Sequence, residues 1–400
     1  MRTALAFLAI SSLAFGADSR PKVRAITAFI HIDPTTYAAT YDDTMKFLNS
    51  AREAFRGAGF EVEGVRIVTQ PFPQYIAGMK RDEALTFLHK LDELSTRLRF
   101  APNIGAAMMA DGDDASTLDL AAAALAQTRL NASLVIAGED GIHWRAIREA
   151  AKLIKAVSLS SPHGRGNFNF AATAMVSPYG PFYPGAWHNG PGRTFAVGLE
   201  GANVVGEIFA QYREPREAEK QLSAALARHM RDAEAVATRV AASSGWTYAG
   251  IDPTPAPLGD VSIARAIESF TGAPFGSSGT MTAAAIITRA VQSVPVKRVG
   301  YSGLMVPVME DNLLAKRWAE ATFNMDSLLA YSAVCAGGLD TVPLPGDTSE
   351  EQIARILSDV ATLAYKWHKP LAARLLPVPG RKAGDRTEFD DPRMANTLIR

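Results

Sequence analysis

Extended apolar runs alternate with amphipathic helical patterns along most of the chain, and this alternation constrains the fold more than any other feature. Val23–Ile32 and Ser133–Gly138 are rich in aliphatic residues, which is typical of strands buried in parallel sheets. Pro215–Ala242 predicts the longest helix, because its apolar residues recur at steps of three and four. Alternation over this length indicates a parallel α/β architecture, either doubly wound or a barrel.

The same patterns divide the rest of the chain into further elements. Additional strands are predicted at Glu61–Thr69, Phe100–Met109, Phe168–Val176, Thr194–Leu199 and Ala372–Val378. Additional helices are predicted at Tyr41–Gly59, Arg81–Thr96, Leu118–Leu130, from about Gly201, and at Val261–Thr271, Thr280–Ala290, Leu313–Ala321, Met325–Val334 and Ser349–Tyr365. Ser177–Gly192 is a long loop rich in Pro, Gly and aromatic residues. No linker or repeat divides the pattern, which predicts one large domain over residues 18–400.

The first residues have the layout of a secretory signal peptide. A positive end at Arg2 precedes an apolar run from Ala4 to Phe15, followed by small residues at Gly16 and Ala17. Residues 1–17 are therefore predicted to be a cleaved leader, which places the mature chain in the periplasm or outside the cell. The alternative is a buried first strand or helix. No later apolar run has the 18 or more residues of a membrane span.

Charge and cysteine content exclude several classes of protein. Lys plus Arg and Asp plus Glu both number 41, so the chain lacks the cationic excess of a general nucleic-acid binder. A single cysteine excludes an intrachain disulfide framework and a cysteine-rich metal site. The expected partner is a small molecule. The sequence specifies no cofactor and no metal, and it leaves homo-oligomer formation open.

One glycine- and hydroxyl-rich loop precedes a predicted helix and is a candidate anion-binding site. Backbone N–H groups and hydroxyls at a helix start can hold a phosphate or carboxylate, although the lysine of a nucleotide-binding loop is absent. The alternative is an ordinary capped helix start. The residues of this loop are Gly276, Ser277, Ser278, Gly279 and Thr280.

Four further residues are candidates for catalysis. His188 lies on the glycine-rich loop, where it could move protons or simply occupy a surface turn. Glu310 follows the apolar run Leu304–Val308, next to an Asp311 that is expected to cap a helix. Cys335 and Asp340 lie around a Gly-Gly pair that ends a predicted helix. Cys335 would be reactive only with a lowered thiol pKa, and otherwise is an inert core residue.

Several blocks resemble the "domain of unknown function 711" family of bacteria and archaea. Members are similar in fold to glycyl radical enzymes, so the resemblance implies a large α/β barrel like that of pyruvate formate-lyase and ribonucleotide reductase. It implies no particular activity, and it strengthens the cases for His188, Glu310 and Cys335. The matching blocks are Tyr183–His188, Gly250–Pro257 with Gly259 and Asp260, Gly276–Thr280 with Thr282, Gly303–Asp311, Ala333–Asp340 and Gly380–Phe389.

Glycyl radical chemistry itself is not expected. In radical enzymes of that fold, a cysteine inside the barrel receives the radical from a glycine near the C-terminus. Cys335 could be that cysteine, but no glycine follows Phe389 in this chain, and export argues against an oxygen-sensitive radical. Ser278 also stands where a His is more usual, which weakens any shared chemistry.

These observations lead to two hypotheses about function. The first is an exported, non-radical enzyme that acts on a small polar or anionic molecule in a pocket at the barrel mouth. His188 or Glu310 would move protons, Cys335 and Asp340 would line the site, and the Gly276–Thr280 loop would hold the anion. The second is a periplasmic small-molecule-binding or scaffold protein that uses the same fold without turnover.

Overall fold

The computed structural model describes residues 20–400. The predicted leader at residues 1–17 lies outside the described residues. Within them, ten strands form one sheet with helices packed against it. The strands are β1 (Lys22–Ile30), β2 (Val65–Thr69), β3 (Ala101–Ala106), β4 (Asn131–Gly138), β5 (Gly141–Ile142), β6 (Phe170–Ala174), β7 (Thr194–Glu200), β8 (Thr247–Asp252), β9 (Gly337–Pro345) and β10 (Leu371–Val378).

The helices follow the strands as the alternation predicts. They are α1 (Tyr37–Gly57), α2 (Phe72–Tyr75), α3 (Arg81–Leu98), α4 (Leu118–Gln127), α5 (Trp144–Ser160), α6 (Ala202–Gln211), α7 (Pro215–Ser244), α8 (Ile263–Thr271), α9 (Thr280–Ser293), α10 (Asn312–Ala319), α11 (Met325–Ser332) and α12 (Glu350–Trp367), with a 3-10 helix at Pro162–Asn169. None of the helices in residues 20–400 has both the length and the apolar character needed to cross a bilayer.

The sheet is mixed rather than all parallel, which corrects the predicted parallel arrangement. Its order is β8-β7-β1-β2-β3-β4-β6-β10-β9, with β5 paired to β4. Five neighbouring strands, β1 to β4 and β6, run parallel to one another. The β7–β8 and β10–β9 pairs join this block through antiparallel contacts, β7 on β1 and β10 on β6. The α/β class is therefore confirmed, with two reversals of strand direction.

An irregular segment pairs with both edges of this sheet. Arg298 forms a parallel bridge with Ile251 of β8, and Pro307 forms one with Asp340 of β9. The apolar run Leu304–Val308 makes only this isolated bridge. The sequence patterns did not predict α2, α5, β5, β8, β9 or the 3-10 helix.

The two faces of the sheet are covered in different ways. The main apolar cluster lies between the sheet and the helices and includes Val65 and Ile67 of β2. On the opposite face, Phe29 and Val68 belong to a smaller cluster that contains Ala186. Because successive side chains of a strand point to opposite faces, β2 contributes to both clusters. Ala186 comes from the predicted loop at residues 177–192, which is called the inserted loop below. This loop packs on the face of the sheet opposite the main apolar cluster, and that face is called the inner face.

Side chains of the strands hold the inserted loop by hydrogen bonds to its carbonyl groups. Thr27 Oγ1 and Arg66 Nη1 donate to the carbonyl of Pro181 at 3.2 and 3.1 Å. Asn103 Nδ2 donates to the carbonyl of Pro184 at 3.0 Å. Buried backbone groups are costly unless they are hydrogen-bonded, so these donors allow the loop to lie inside the protein.

A single carboxylate, that of Asp311, caps two helices at once. Its Oδ1 accepts from the backbone N–H groups of Leu313 and Leu314 at the start of α10, at 2.9 and 3.1 Å. Its Oδ2 accepts from Ile263 and Ala264 at the start of α8, at 2.8 and 3.3 Å. The expected capping role of Asp311 is thus confirmed. Asp260, which also precedes α8 in the sequence, is not its cap, because Ser262 caps α8 by accepting from the Arg265 N–H.

We expect Asp311→Ala to destabilise the fold by about 2–4 kcal/mol, because each lost cap costs about 1–2 kcal/mol. Urea unfolding followed by circular dichroism measures this change. The control is Asp260→Ala, whose carboxylate accepts only from exposed Asn312. It should change the free energy of unfolding by less than about 0.5 kcal/mol. Equal effects of the two substitutions would contradict the double-cap interpretation.

Candidate functional site

Charged side chains from distant parts of the chain converge on one cavity of about 130 Å³. The cavity lies on the inner face of the sheet, against residues 182–185 of the inserted loop. It is bordered by the first residues of several strands, including Ala101 of β3 and Asn131 of β4. The charged residues that line it are Arg24, Arg66, Glu310, Asp340, Arg374 and Arg393.

Three of these arginines lie inside largely apolar strands. Arg24 lies in β1, Arg66 in β2 and Arg374 in β10. In β2, Val65 and Ile67 belong to the cluster under the helices, so alternation directs Arg66 to the inner face. Each of these three strands therefore places one guanidinium at the cavity.

Arg374 is held between two carboxylates. Its Nε donates to Asp340 Oδ1 at 2.7 Å, and its Nη2 also pairs with Glu310 Oε2. Burial alone would lower the pKa of Arg374, yet Asp340 and Glu310 raise it above its ordinary value. Burial raises the pKa of Asp340, and the neighbouring charge of Glu310 acts in the same direction. The trio is a buried ion cluster with more acidic than basic groups.

Arg24 is paired as well, at the edge of the cavity. Its Nη1 lies 2.9 Å from a carboxylate oxygen of Glu200 and 3.6 Å from one of Glu63. Burial, followed by repulsion from Glu200, raises the pKa of Glu63 to about 7. Glu63 can therefore hold a proton near neutral pH, with Arg24 and Glu200 beside it.

Arg66 is different, because no carboxylate of residues 20–400 lies within ion-pair distance of it. Its guanidinium carbon lies 4.8 Å from the centre of the Tyr183 ring, and its hydrogen bond goes to the Pro181 carbonyl. Burial and the nearby charge of Arg24 lower the pKa of Arg66 to about 10. Arg66 therefore remains cationic at neutral pH, and it faces the cavity without an anionic partner.

Arg393 stands where the cavity meets solvent. Its side chain is 51% exposed and is paired to Asp391, with the shorter contact at 2.7 Å. The guanidinium carbons of Arg374 and Arg393 lie 4.8 and 4.7 Å from the centre of the Phe168 ring. Phe168 thus contacts both the buried guanidinium of Arg374 and the more exposed guanidinium of Arg393.

Two of the predicted catalytic residues, Glu310 and Asp340, meet in this cavity through Arg374. The other two do not line it. His188 lies at the far end of β1, where its Nε2 is 3.0 Å from the Ile30 carbonyl. Burial lowers the pKa of His188 to about 4, so the ring is neutral at pH 7. The His188 ring contacts the rings of Phe29, Tyr179 and His31.

Cys335 belongs to the main apolar core under the helices, with 2% of its surface exposed. Burial raises the pKa of its thiol to about 12. A thiol in this state is a poor nucleophile, because the reactive form is the thiolate. The structure favours the inert alternative over the catalytic one for Cys335.

The predicted anion-binding loop also lies away from the cavity. Gly279 is the residue before α9, and no side chain caps that helix. The backbone N–H of Gly276 donates to Thr280 Oγ1 at 3.1 Å. Ser277, Ser278 and the rest of this loop do not line the cavity. Anion binding by the loop stays a prediction.

The sequence reasoning missed the arginines of the cavity, although a signal was present. A lone arginine inside an apolar strand is unusual, because such side chains are rarely buried unless they are paired. Arg24, Arg66 and Arg374 each show this pattern in the sequence. Their convergence follows from the sheet order.

Comparison with known proteins connects the chain to an uncharacterised family. The profile of the family described as "Uncharacterised ACR (DUF711)" matches residues 17–390. A UPF0210 protein of Pyrobaculum aerophilum is 34% identical over 68% of this chain and 62% of its own length. UPF0210 proteins of Pyrobaculum arsenaticum and Desulforudis audaxviator are 32% and 30% identical, over 61% and 86% of this chain and over 56% and 80% of their own lengths. The chain therefore spans less than two thirds of both Pyrobaculum relatives.

These matches confirm the predicted resemblance and correct the predicted function. The relatives are described only as UPF0210 proteins, a description that includes neither export nor a reaction. The exported enzyme and its alternative, a periplasmic binding or scaffold protein, are therefore withdrawn. The similarity in fold to glycyl radical enzymes stays a prediction.

The buried His188 gives a testable pH dependence of stability. Its folded pKa of about 4 lies below the ordinary 6.5, so the unfolded state binds the proton more tightly. The stability that this residue provides is complete above pH 6.5 and is lost as the pH falls towards 4. The difference corresponds to ~3 kcal/mol.

Urea unfolding of the wild type and of His188→Gln between pH 4 and pH 7 measures this effect. The difference in unfolding free energy between the two should shrink as the pH falls through this window. The matched control is His89→Gln, since His89 is only half-buried and its ring bonds to Gln127. A difference that stays constant with pH for His188→Gln would refute the assignment.

Proposed function

The chain belongs to the Uncharacterised ACR (DUF711) family, and we propose that it binds a small carboxylate in the cavity on the inner face of its sheet. The site of binding is the cavity lined by Arg66, Arg374, Glu310 and Asp340. This location differs from a loop site at a barrel mouth, because neither His188 nor the Gly276–Thr280 loop contributes to it.

The observation that carries the proposal is the unpaired guanidinium of Arg66. Arg24 and Arg374 each have carboxylate partners, whereas Arg66 has only a carbonyl and an aromatic ring. A buried charge without a counter-charge is destabilising, and such features are retained where function requires them. An arginine also has a planar fork of donors that matches the two oxygens of a carboxylate.

We infer further that the sheet closes into a barrel, which makes the cavity an internal chamber. Two observations support closure. The segment that contains Arg298 and Pro307 bridges to β8 at one edge of the sheet and to β9 at the other. Arg66 of β2 and Arg374 of β10 line the same cavity although three strands, β3, β4 and β6, separate them in the sheet order. An open, flat sheet would hold these side chains far apart.

The size of the cavity limits the ligand. Its volume of about 130 Å³ is close to the ~150 Å³ of an engineered cavity that binds benzene. A ligand of about six non-hydrogen atoms fits such a space. This favours a short carboxylic acid over a nucleotide, a sugar phosphate or a peptide.

Glycyl radical chemistry does not enter this proposal. Phe182, Tyr183, Pro184 and Gly185 are the residues of the inserted loop that face the cavity, and none of them is a cysteine. The single cysteine, Cys335, lies in the core under the helices. The residues of the cavity instead suit binding through charge and hydrogen bonds.

We expect acetate to stabilise the wild-type protein against heat, and Arg66→Gln to abolish this effect. Glutamine keeps a donor for the Pro181 carbonyl but removes the charge. If the dissociation constant is about 10 mM, 100 mM sodium acetate adds about 1.4 kcal/mol, which raises the melting temperature by about 2 °C. Differential scanning fluorimetry against sodium chloride of the same ionic strength measures the shift.

The matched control is Arg52→Gln, because Arg52 is a half-buried arginine outside the cavity, whose hydrogen bond goes to Asn49 on the same helix. It should keep the full acetate response, and Arg66→Lys should keep part of it. Wild-type protein that responds equally to acetate and chloride would overturn the proposal. So would an Arg66→Gln variant that keeps the wild-type response.

A further inference from the structure

We infer that the natural ligand of this cavity is a small amino acid, which carries a carboxylate and an ammonium group on neighbouring atoms. This inference rests on the proposed function and deepens it. It depends on a second set of groups, Glu310, Asp340 and Arg374, which line the same cavity as Arg66.

The acidic side of the cavity has an excess of negative charge. Glu310 and Asp340 share the single cation Arg374, so the trio carries one net negative charge when both carboxylates are ionised. Arg374 uses Oδ1 of Asp340 and Oε2 of Glu310. No other side chain of residues 20–400 donates a hydrogen bond to either carboxylate. Asp340 also receives a backbone hydrogen bond from Thr341, so Glu310 has the oxygen that remains for a donor on the ligand.

The basic side of the cavity has the opposite excess. The positive charge of Arg24 is balanced by Glu200 and Glu63, whereas that of Arg66 is not balanced by any ion pair. Arg66, Glu310 and Asp340 all line the same cavity of about 130 Å³. The cavity therefore presents one unbalanced positive and one unbalanced negative group to the same small ligand.

A ligand with only one charge would leave part of this arrangement unsatisfied. Acetate would pair with Arg66 but offer no donor to Glu310 or Asp340. Methylammonium would do the reverse and leave Arg66 without an anion. Unsatisfied buried polar groups cost free energy, so a molecule with both charges should bind most tightly.

Size selects among molecules with both charges. Glycine and alanine are within the limit of about six non-hydrogen atoms that the cavity volume sets. Amino acids with long or aromatic side chains exceed it. Ala101, Ala171 and Gly337 are among the small residues that line the cavity.

Isothermal titration calorimetry at pH 7 with glycine, acetate and methylammonium tests the inference on wild-type protein. We expect glycine to bind at least 10-fold more tightly than either single-charge probe. Glycolate, which has a neutral donor in place of the ammonium group, should fall between glycine and acetate.

Variants separate the two sides of the cavity. Glu310→Gln should reduce glycine affinity to about that of acetate and leave acetate affinity unchanged or higher. Arg66→Gln should remove binding of both glycine and acetate. Asp340→Asn provides a second test of the acidic side if Glu310→Gln does not fold.

The outcomes distinguish this inference from the proposed function. Acetate that binds as tightly as glycine, with both depending on Arg66, would overturn the amino-acid inference and support the carboxylate proposal. Glycine binding that is unaffected by both Glu310→Gln and Asp340→Asn would also overturn it. Failure of every probe to bind the wild type would overturn both.

Discussion

A loop can lie inside a protein only if its backbone polar groups find partners there, and this requirement organises the interior of the sheet. The carbonyls of Pro181 and Pro184 receive hydrogen bonds from Thr27, Arg66 and Asn103, which project from three adjacent strands. Polar side chains therefore occupy strand positions that would otherwise be apolar. The inserted loop in turn keeps the interior from filling with aliphatic side chains, so a charged cavity persists at residues 182–185.

Arg66 connects this structural requirement to the proposed chemistry. Its Nη1 supports the loop through Pro181, while the remainder of its guanidinium faces the cavity. Tyr183 of the same loop stacks against it. The residue that fixes the loop is thus also the residue that would recognise a carboxylate, and the position of the loop determines the geometry of recognition.

Most of the architecture could be predicted from the sequence, because periodicity reports directly on burial. The stripe that includes Leu222, Leu226 and Met230 of α7 is buried as its spacing requires. Strand β9 was missed because Gly337, Gly338 and Pro343 are typical of turns, and only its pairing with β10 makes this segment extended. Such pairing depends on residues about thirty positions away and leaves no local signal.

The candidate site was only partly predictable, for the same reason. Glu310 could be proposed from its position after an apolar run and Asp340 from its position after a Gly-Gly pair, and the two do meet through Arg374. Their partner Arg374 comes from another strand, and the sequence gives no sign that β10 lies beside β9. His188 and Cys335 were plausible by residue type, but each is surrounded mainly by apolar or aromatic groups. Chemical identity suggested the residues, and the strand order decided which of them share a cavity.

The ion cluster of Arg374 also restricts how this protein can change over generations. Losing either Glu310 or Asp340 removes one of the two partners of Arg374, and losing Arg374 leaves two buried anions without a counter-charge, at a cost of about 3–5 kcal/mol when a buried pair is broken. Replacement of the whole trio by apolar residues could be tolerated, but the single steps towards it pass through unstable intermediates. Substitutions at these three positions should therefore be rare and should occur together, whatever molecule the cavity holds.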